Sequence, residues 1–447
     1  MARVLEALVR WLGEALVRLF YPSRAVEGAE RIPSGKPLVF VLNHPNGLLD
    51  PLVLRVVTGR PARFLAKSTL FGNPLGRLAM EAFGSIPIYR PHEVGRAGAA
   101  RNEESFARCR AELAAGGVLA LFPEGTSHSD PQLRPLKTGA ARIVLSAEAE
   151  HDGRLGVMLV PAGLHYDRKA TFRSPVLLVV GEPIPVAPLL DGYRRDERAA
   201  VAALTERIDA ALDEVVLQAE TRELVEGIAR VARWTTGADA GDDPNDLAAR
   251  NRRARVLAAA YARLRARDPA RVEEVVAEAR HYRRTLERLG VRDPWALELA
   301  APRTGAVLAA VLKLVVAAPL AAVGAVMGWI PYRLVNVVAP RVTRDEDILS
   351  TVKLLGGALF LFVGWSLEAL AVALIFRRPP LAVPIFVVGV ATGYMALRFE
   401  ELFREAVEAL RYLGLRAFRF RTAQRLVERR RALADAVARA LEEAQAP

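Results

Sequence analysis

A single cysteine, Cys109, in 447 residues excludes an intrachain disulfide and any cysteine metal cluster. The expectation that goes with it is a reducing, intracellular compartment. Cys109 itself lies in a helical pattern, RNEESFARCRAELAAGG, and reads as a small helix residue. No nucleophile elbow of the form GxSxG is present, so a hydrolase built on that turn is not expected. Zinc-finger spacing is missing, and basic residues do not alternate regularly with aromatics, which removes the usual marks of nucleic-acid binding. The N-terminus has no long apolar run, and Glu6 and Glu14 interrupt it, so it does not read as a secretory signal peptide.

What the chain does have is apolar content and positive charge. Apolar residues make up 52%, and the formal net charge is +12, carried mostly by arginine. With nucleic acid disfavoured, the expected partner is an anionic membrane surface. Residues 305–330 carry one charge, Lys313, and residues 354–376 carry one, Glu368. Both are long enough to cross roughly 30 Å of hydrocarbon, whereas 381–397 is at the short limit. Two or three membrane-embedded segments are expected.

At the N-terminus, Val4, Leu5, Leu8, Val9, Leu12, Leu16, Leu19 and Phe20 recur at helical spacing. Arg3, Glu6, Arg10, Glu14 and Arg18 fall largely on the other side. The pattern predicts an amphipathic helix over 1–22. Two placements are open: packed on the following domain, or lying in the headgroup layer with Trp11 near the boundary. Residues 23–219 alternate strands with helices, which predicts a layered α/β domain with a mostly parallel central sheet. A polar helical linker is expected over 220–300, with a loop at TTGADAGDDPND. Hydrophobic membrane segments follow over 301–400, then a basic amphipathic C-terminal helix over 401–447.

The residues that carry chemistry sit at strand ends. PLVFVL, 37–42, runs into Asn43, His44 and Pro45, and Asp50 follows six residues after the histidine. In a parallel α/β sheet, ligand sites gather there. A histidine can take a proton near neutral pH, and a nearby acid can fix its tautomer and support the imidazolium. Asp50 also reads as a plausible cap for the helix that follows. On these residues alone, a satisfied loop histidine is an equal reading. Two further strand ends shift the balance. GSIPIYR places Arg90 after one strand, and LALFPEGTSHSD places Glu124, Gly125 and Thr126 after another. An arginine fork matches a phosphate, and backbone N–H groups around Gly125 can add donors.

With these runs in place, residues 30–215 resemble the glycerolipid acyltransferase family, which includes glycerol-3-phosphate and lysophosphatidic acid acyltransferases. NHPNGLLD is similar to the family's first motif, but with five residues rather than four between His44 and Asp50. That longer form resembles the fungal type of glycerol-3-phosphate and dihydroxyacetone-phosphate acyltransferase. GSIPIYR resembles the second motif through Gly84 and Arg90. FPEGTSHS resembles the third, with Ser127 and His128 where the family has an arginine. Val160-Pro161 and Lys67 resemble further family positions.

The resemblance implies that His44 is a general base for an acceptor hydroxyl and that Asp50 orients it. It places Lys67, Arg90, Glu124, Gly125 and Thr126 in acceptor binding and Pro161 on the acyl side. A carboxylate repels phosphate, so Glu124 is expected on a hydroxyl or on Arg90. The acyl donor implied is acyl-CoA or acyl-carrier protein, with no cofactor and no metal. The expected acceptor is 1-acylglycerol 3-phosphate, giving phosphatidic acid. Glycerol 3-phosphate, dihydroxyacetone phosphate or another lysolipid is the alternative, and an inactive membrane scaffold is the non-enzyme alternative. The expected location is the cell membrane, with the catalytic domain on the cytoplasmic side.

Overall fold

The computed structural model describes residues 2–89, 97–236, 246–290, 304–343 and 345–445. Arg90 and most of the loop at 235–246 lie outside the described residues. The chain divides into two compact units. The first comprises Met1–Val225 with Thr343–Leu354, the second Glu226–Val342 with Leu355–Pro447.

The first unit is built on an eight-stranded sheet. Its strands are β1 (Arg24–Glu27), β2 (Leu38–Leu42), β3 (Arg63–Lys67), β4 (Ile86–Ile88), β5 (Val118–Leu121), β6 (Met158–Tyr166), β7 (Val176–Val180) and β8 (Ile184–Pro185). The order is β1-β7-β6-β2-β5-β3-β4, with β8 beside β6. All pairings are parallel except those of β6 with β7 and β8. The mostly parallel sheet expected from the alternating pattern is therefore present. β2 lies at its centre and is buried along its whole length, as a continuous apolar run requires.

The helices of this unit are α1 (Ala2–Phe20), α2 (Leu49–Thr58), α3 (Pro74–Ala82), α4 (Ala97–Ala114), α5 (Gly139–Glu150), α6 (Leu190–Arg195) and α7 (Glu197–Val215). Their ends follow ordinary capping chemistry. Asn73 caps α3 by accepting from Gly76 N–H with Pro74 next to it, and Asp196 caps α7. Cys109 is buried within α4, and burial pushes its thiol up to about 12, so it packs as a small apolar group.

The end of α1 nearest the sheet packs on the domain. Val17, Phe20 and the following Tyr21 are buried in the core of the unit. Val4, Leu8 and Trp11 near the other end are exposed. Arg55 of α2 donates to Glu14 at 2.7 Å and fastens the middle of the helix. Burial works against the Glu14 carboxylate, but Arg55 and Arg18 hold it below its ordinary value.

Three sequence expectations need correction. Asp50 does not cap α2: the helix starts after Leu48 without a side-chain cap, and Asp50 lies buried in its first turn. The apolar run PVLLVVGEPI, 175–184, reads as one strand but forms two, β7 and β8, because the chain turns at Gly181, whose N–H donates to Pro161 O. β1 was not anticipated. RAVE is only four residues long, too short to show a period, and it is fixed as a strand by parallel pairing with β7.

Glycine at 163 is a packing requirement. A Cβ there would run into Val215 O, a backbone atom at the end of α7. Gly163→Ala is expected to destabilise the unit by about 3 kcal/mol, because neither backbone can give way cheaply. A urea melt followed by tryptophan fluorescence reads this directly.

Among its described residues the second unit is all helical. It holds most of α8 (Arg222–Thr235), then α9 (Leu247–Arg267), α10 (Pro269–Leu289), α11 (Thr304–Val342), the larger part of α12 (Glu346–Ile375), α13 (Ala382–Phe418) and α14 (Phe420–Gln445). The pair Asp268-Pro269 reads as the turn of a helical hairpin, and Asp268 caps α10 with Pro269 beside it. The tail does not stand free. Leu426, Leu433 and Val437 of α14 are buried with Trp234, Tyr282 and Leu286, and Arg430 donates to Trp234 O at 2.8 Å. The boundary expected at residue 400 is absent, because α13 runs through it as one helix.

Three helical stretches, Val311–Val342, Ile348–Ile375 and Pro379–Arg404, are long and apolar enough to cross a membrane. Most of their surface is exposed. Small residues bring two of them together: a Cβ on Gly324 would overlap Thr392 O.

Candidate active site

The site forms where β2 and β5 end. Asn43 prolongs the sheet with its side chain. Its amide nitrogen donates to Leu164 O at 3.1 Å, and its amide oxygen accepts from Leu164 N at 2.7 Å. The side chain thus does for β6 what one more strand residue would do, and the chain is free to turn away at His44. Gly47 makes that turn with a φ of 50°, and Asp50 N–H donates to Gly47 O as α2 begins. A six-residue separation is folded back into contact in this way.

His44 Nδ1 and Asp50 Oδ2 are 2.8 Å apart, with the aspartate side chain fully buried and the imidazole 18% exposed. A carboxylate oxygen can only accept here, so Nδ1 carries the proton and Nε2 holds the free lone pair. The imidazole stacks on Phe122 at a centroid distance of 4.0 Å, which fixes its plane. Asp50 is itself held from two sides. Tyr166 OH donates to Oδ1 at 2.7 Å, and Asn46 N–H donates to Oδ2 at 2.8 Å. Burial and the Asp50 charge push the Tyr166 hydroxyl well above its ordinary pKa, so it remains a donor.

Behind this lies a second tyrosine. Asn46 Nδ2 donates to Tyr21 OH at 2.8 Å, and Tyr21 OH donates to Lys169 O at 2.7 Å. Burial raises the Tyr21 hydroxyl too. Lys169 Nζ donates to Pro45 O at 2.9 Å and to Ser129 Oγ at 2.5 Å. Tyr166 is the last residue of β6, and Tyr21 follows α1. Sequence reasoning missed Tyr21, Asn46, Tyr166 and Lys169 as parts of the site. The one available sign was polar-tipped aromatics at the ends of apolar elements.

The turn after β5 is tied to the same place. Gly125 adopts a φ of 74°, and its N–H donates to Phe122 O. The Glu124 side chain is fully buried. Its Oε1 accepts from His44 N–H at 3.0 Å, and Oε2 accepts from Arg134 N–H at 2.9 Å and pairs with His128 Nε2. His128 N–H returns a bond to His44 O at 3.1 Å. Glu124 therefore braces the two loops that make the site. A Cβ on Gly125 would meet Lys137 Nζ, so the Lys137 ammonium lies over this turn, a cation the sequence reading did not select.

The other expected residues are placed less closely. Lys67 ends β3, two strands from β2. Thr126 follows the Gly125 turn, and its hydroxyl makes only a long contact of 3.4 Å with Ser127 O. Pro161 lies inside β6 opposite Val41, below the strand end. The structure brings together His44, Asp50, Glu124 and Gly125.

Chemically, this arrangement can act as a base through Nε2, with an acid fixing its tautomer and the Lys137 cation over the neighbouring turn. Residues 23–165 match the family model described as Acyltransferase. Glycerol-3-phosphate O-acyltransferase 2 of Saccharomyces cerevisiae is 39% identical over 116 residues, covering 25% of this chain and 15% of that protein. A chloroplastic 1-acyl-sn-glycerol-3-phosphate acyltransferase of Arabidopsis thaliana is 30% identical over 140 residues, 31% of this chain and 35% of that one. Among solved structures, the 1-acyl-sn-glycerophosphate acyltransferase of Thermotoga maritima aligns with a TM-score of 0.33 at 20% identity, over 47% of this chain and 78% of that one. The matches thus span about a third or less of those two curated relatives' own length. Residues 23–165 are thus similar to the acyltransferase domain of proteins named as glycerol-3-phosphate and 1-acylglycerol-3-phosphate acyltransferases.

Proposed function

We propose that this protein transfers an acyl group from a thioester, acyl-CoA or acyl-carrier protein, to a hydroxyl of a glycerol phosphate at a membrane. The observation that carries the reading is the His44–Asp50 pair, with Nδ1 engaged at 2.8 Å and Nε2 left to act. Nε2 takes the proton of the acceptor hydroxyl as its oxygen forms a bond to the thioester carbonyl. The tetrahedral intermediate then collapses, the C–S bond breaks, and the thiolate leaves with the proton returned by His44. Asp50 stabilises the imidazolium in between.

Lys137 and Arg90 supply positive charge for the phosphate, with Lys67, Gly125 and Thr126 beside the acceptor and Pro161 on the acyl side. The three apolar helices and the exposed end of α1 hold the domain at the lipid surface where product accumulates. The catalytic side faces the cytoplasm, where acyl thioesters are made.

Glycerol 3-phosphate is the acceptor best supported. The similarity at 39% identity is to a protein named for that substrate, and the longer His44–Asp50 spacing points the same way. The second reading, 1-acylglycerol 3-phosphate, is favoured by the similarity at 30% identity. Membranes carrying the protein, given acyl-CoA and each acceptor in parallel, separate them by lipid analysis. Lysophosphatidic acid made from glycerol 3-phosphate is the expected product. Phosphatidic acid made only from added lysophosphatidic acid would select the second reading.

A further inference from the structure

The segment Thr343–Leu354 belongs to the same compact unit as the site, although more than a hundred residues of chain separate it from the rest of that unit. It contains the start of α12, the second apolar helix. Ser350 is fully buried, and Leu354 joins the core around Phe20, Tyr21 and Leu42. Arg222 and Glu346 pair at 2.6 Å on the surface. Two contacts matter more. Ser350 Oγ donates to Lys169 O at 2.9 Å, and Lys353 Nζ donates to Ala170 O at 3.0 Å.

Lys169 O is also the acceptor of Tyr21 OH, and Tyr21 OH accepts from Asn46, whose N–H holds Asp50. The Lys169 ammonium holds Pro45 O, next to His44. Both the main chain and the side chain of Lys169 thus support the turn that carries the base. The loop between β6 and β7 is closed at its base by Asp167 N–H to Pro175 O and Arg168 N–H to Ser174 Oγ, and Arg173, at a φ of 64°, donates to Phe20 O. At Lys169 and Ala170 the loop carbonyls are held by Tyr21, Ser350 and Lys353.

We infer that Ser350 and Lys353, at the root of the second apolar helix, are positioning residues for His44, acting through Lys169, Tyr21 and Asn46. The reasoning is geometric. A general base must be held to within a fraction of an ångström, and a 1 Å displacement can cost about a hundredfold in rate. Seating the start of α12 fastens the Lys169 carbonyl, the carbonyl orients Tyr21 OH, and Tyr21 fixes the Asn46 turn. The catalytic turn is ordered only when this helix root is in place.

The kinetic part of the test rests on the acyl-transfer reading, so a structural readout is run beside it. The full-length protein is placed in nanodiscs as wild type, as Ser350→Ala/Lys353→Met, and as Lys353→Arg. Hydrogen exchange is followed in the peptide covering 43–50, with β5, 118–121, as reference. In the double variant, exchange at 43–50 is expected to quicken about tenfold while 118–121 is unchanged. kcat is expected to fall about tenfold with the acceptor KM unchanged. Lys353→Arg, which keeps a donor, is expected to stay near wild type in both. Unchanged exchange at 43–50 in the double variant overturns the inference, whatever the activity. Faster exchange in every peptide overturns it too, since the segment would then only hold the fold. If the wild type transfers no acyl group, the functional reading fails, and the exchange comparison still decides this one.

Discussion

His44→Ala is expected to lower kcat by about 10⁴-fold, and Asp50→Asn nearly as far, with stability changed little by the histidine replacement. The first removes the atom that accepts the proton. The second keeps the shape but changes the tautomer. An amide presenting its nitrogen to Nδ1 would leave the proton on Nε2, where the acceptor hydroxyl must deliver its own. The amide would also lack the negative charge that stabilises the imidazolium. Asp50 accepts from Tyr166 OH and Asn46 N–H as well, so the variant weakens two supports of the same turn. Steady-state kinetics with thermal melts measures both effects. A tenfold loss in either variant would be too small for a base in the reacting pair.

Glu124→Ala is expected to cost about 3 kcal/mol of stability or more and to reduce kcat by two orders of magnitude or so. The buried carboxylate takes His44 N–H, Arg134 N–H and His128 Nε2, and alanine leaves all three without that acceptor. An unsatisfied buried donor costs about 1–3 kcal/mol, and water can relieve part of that. Activity falls because the lost bond at His44 N is adjacent to the base. If Glu124 instead served only the acceptor, KM would rise while kcat and the melt held. Glu124→Gln keeps one carbonyl oxygen and should lie between the two.

Much of this was legible in the chain. His44 and Asp50 could be singled out because polar, turn-forming residues end an apolar strand, and Gly125 marks the tight turn beside them. The central strands were readable because β2, β5 and β6 are apolar runs of ordinary strand length. The supports of the site were not readable. Tyr166 lies 116 residues from Asp50, and Ser350 lies 181 residues from Lys169, and no local pattern encodes such pairs. The partners of Glu124 were hidden for a related reason: they include two backbone N–H groups, which sequence does not display. β1 escaped because a four-residue strand is defined by its neighbour rather than by its own composition.

The measurement that tests the central claim most directly is thiol release from acyl-CoA, with and without glycerol 3-phosphate, by membranes carrying wild type or His44→Ala. The account predicts release by the wild type only when the acceptor is present, matched mole for mole by acylated glycerol phosphate, and lost in His44→Ala. Release that proceeds equally without an acceptor, or that persists in His44→Ala, would contradict it.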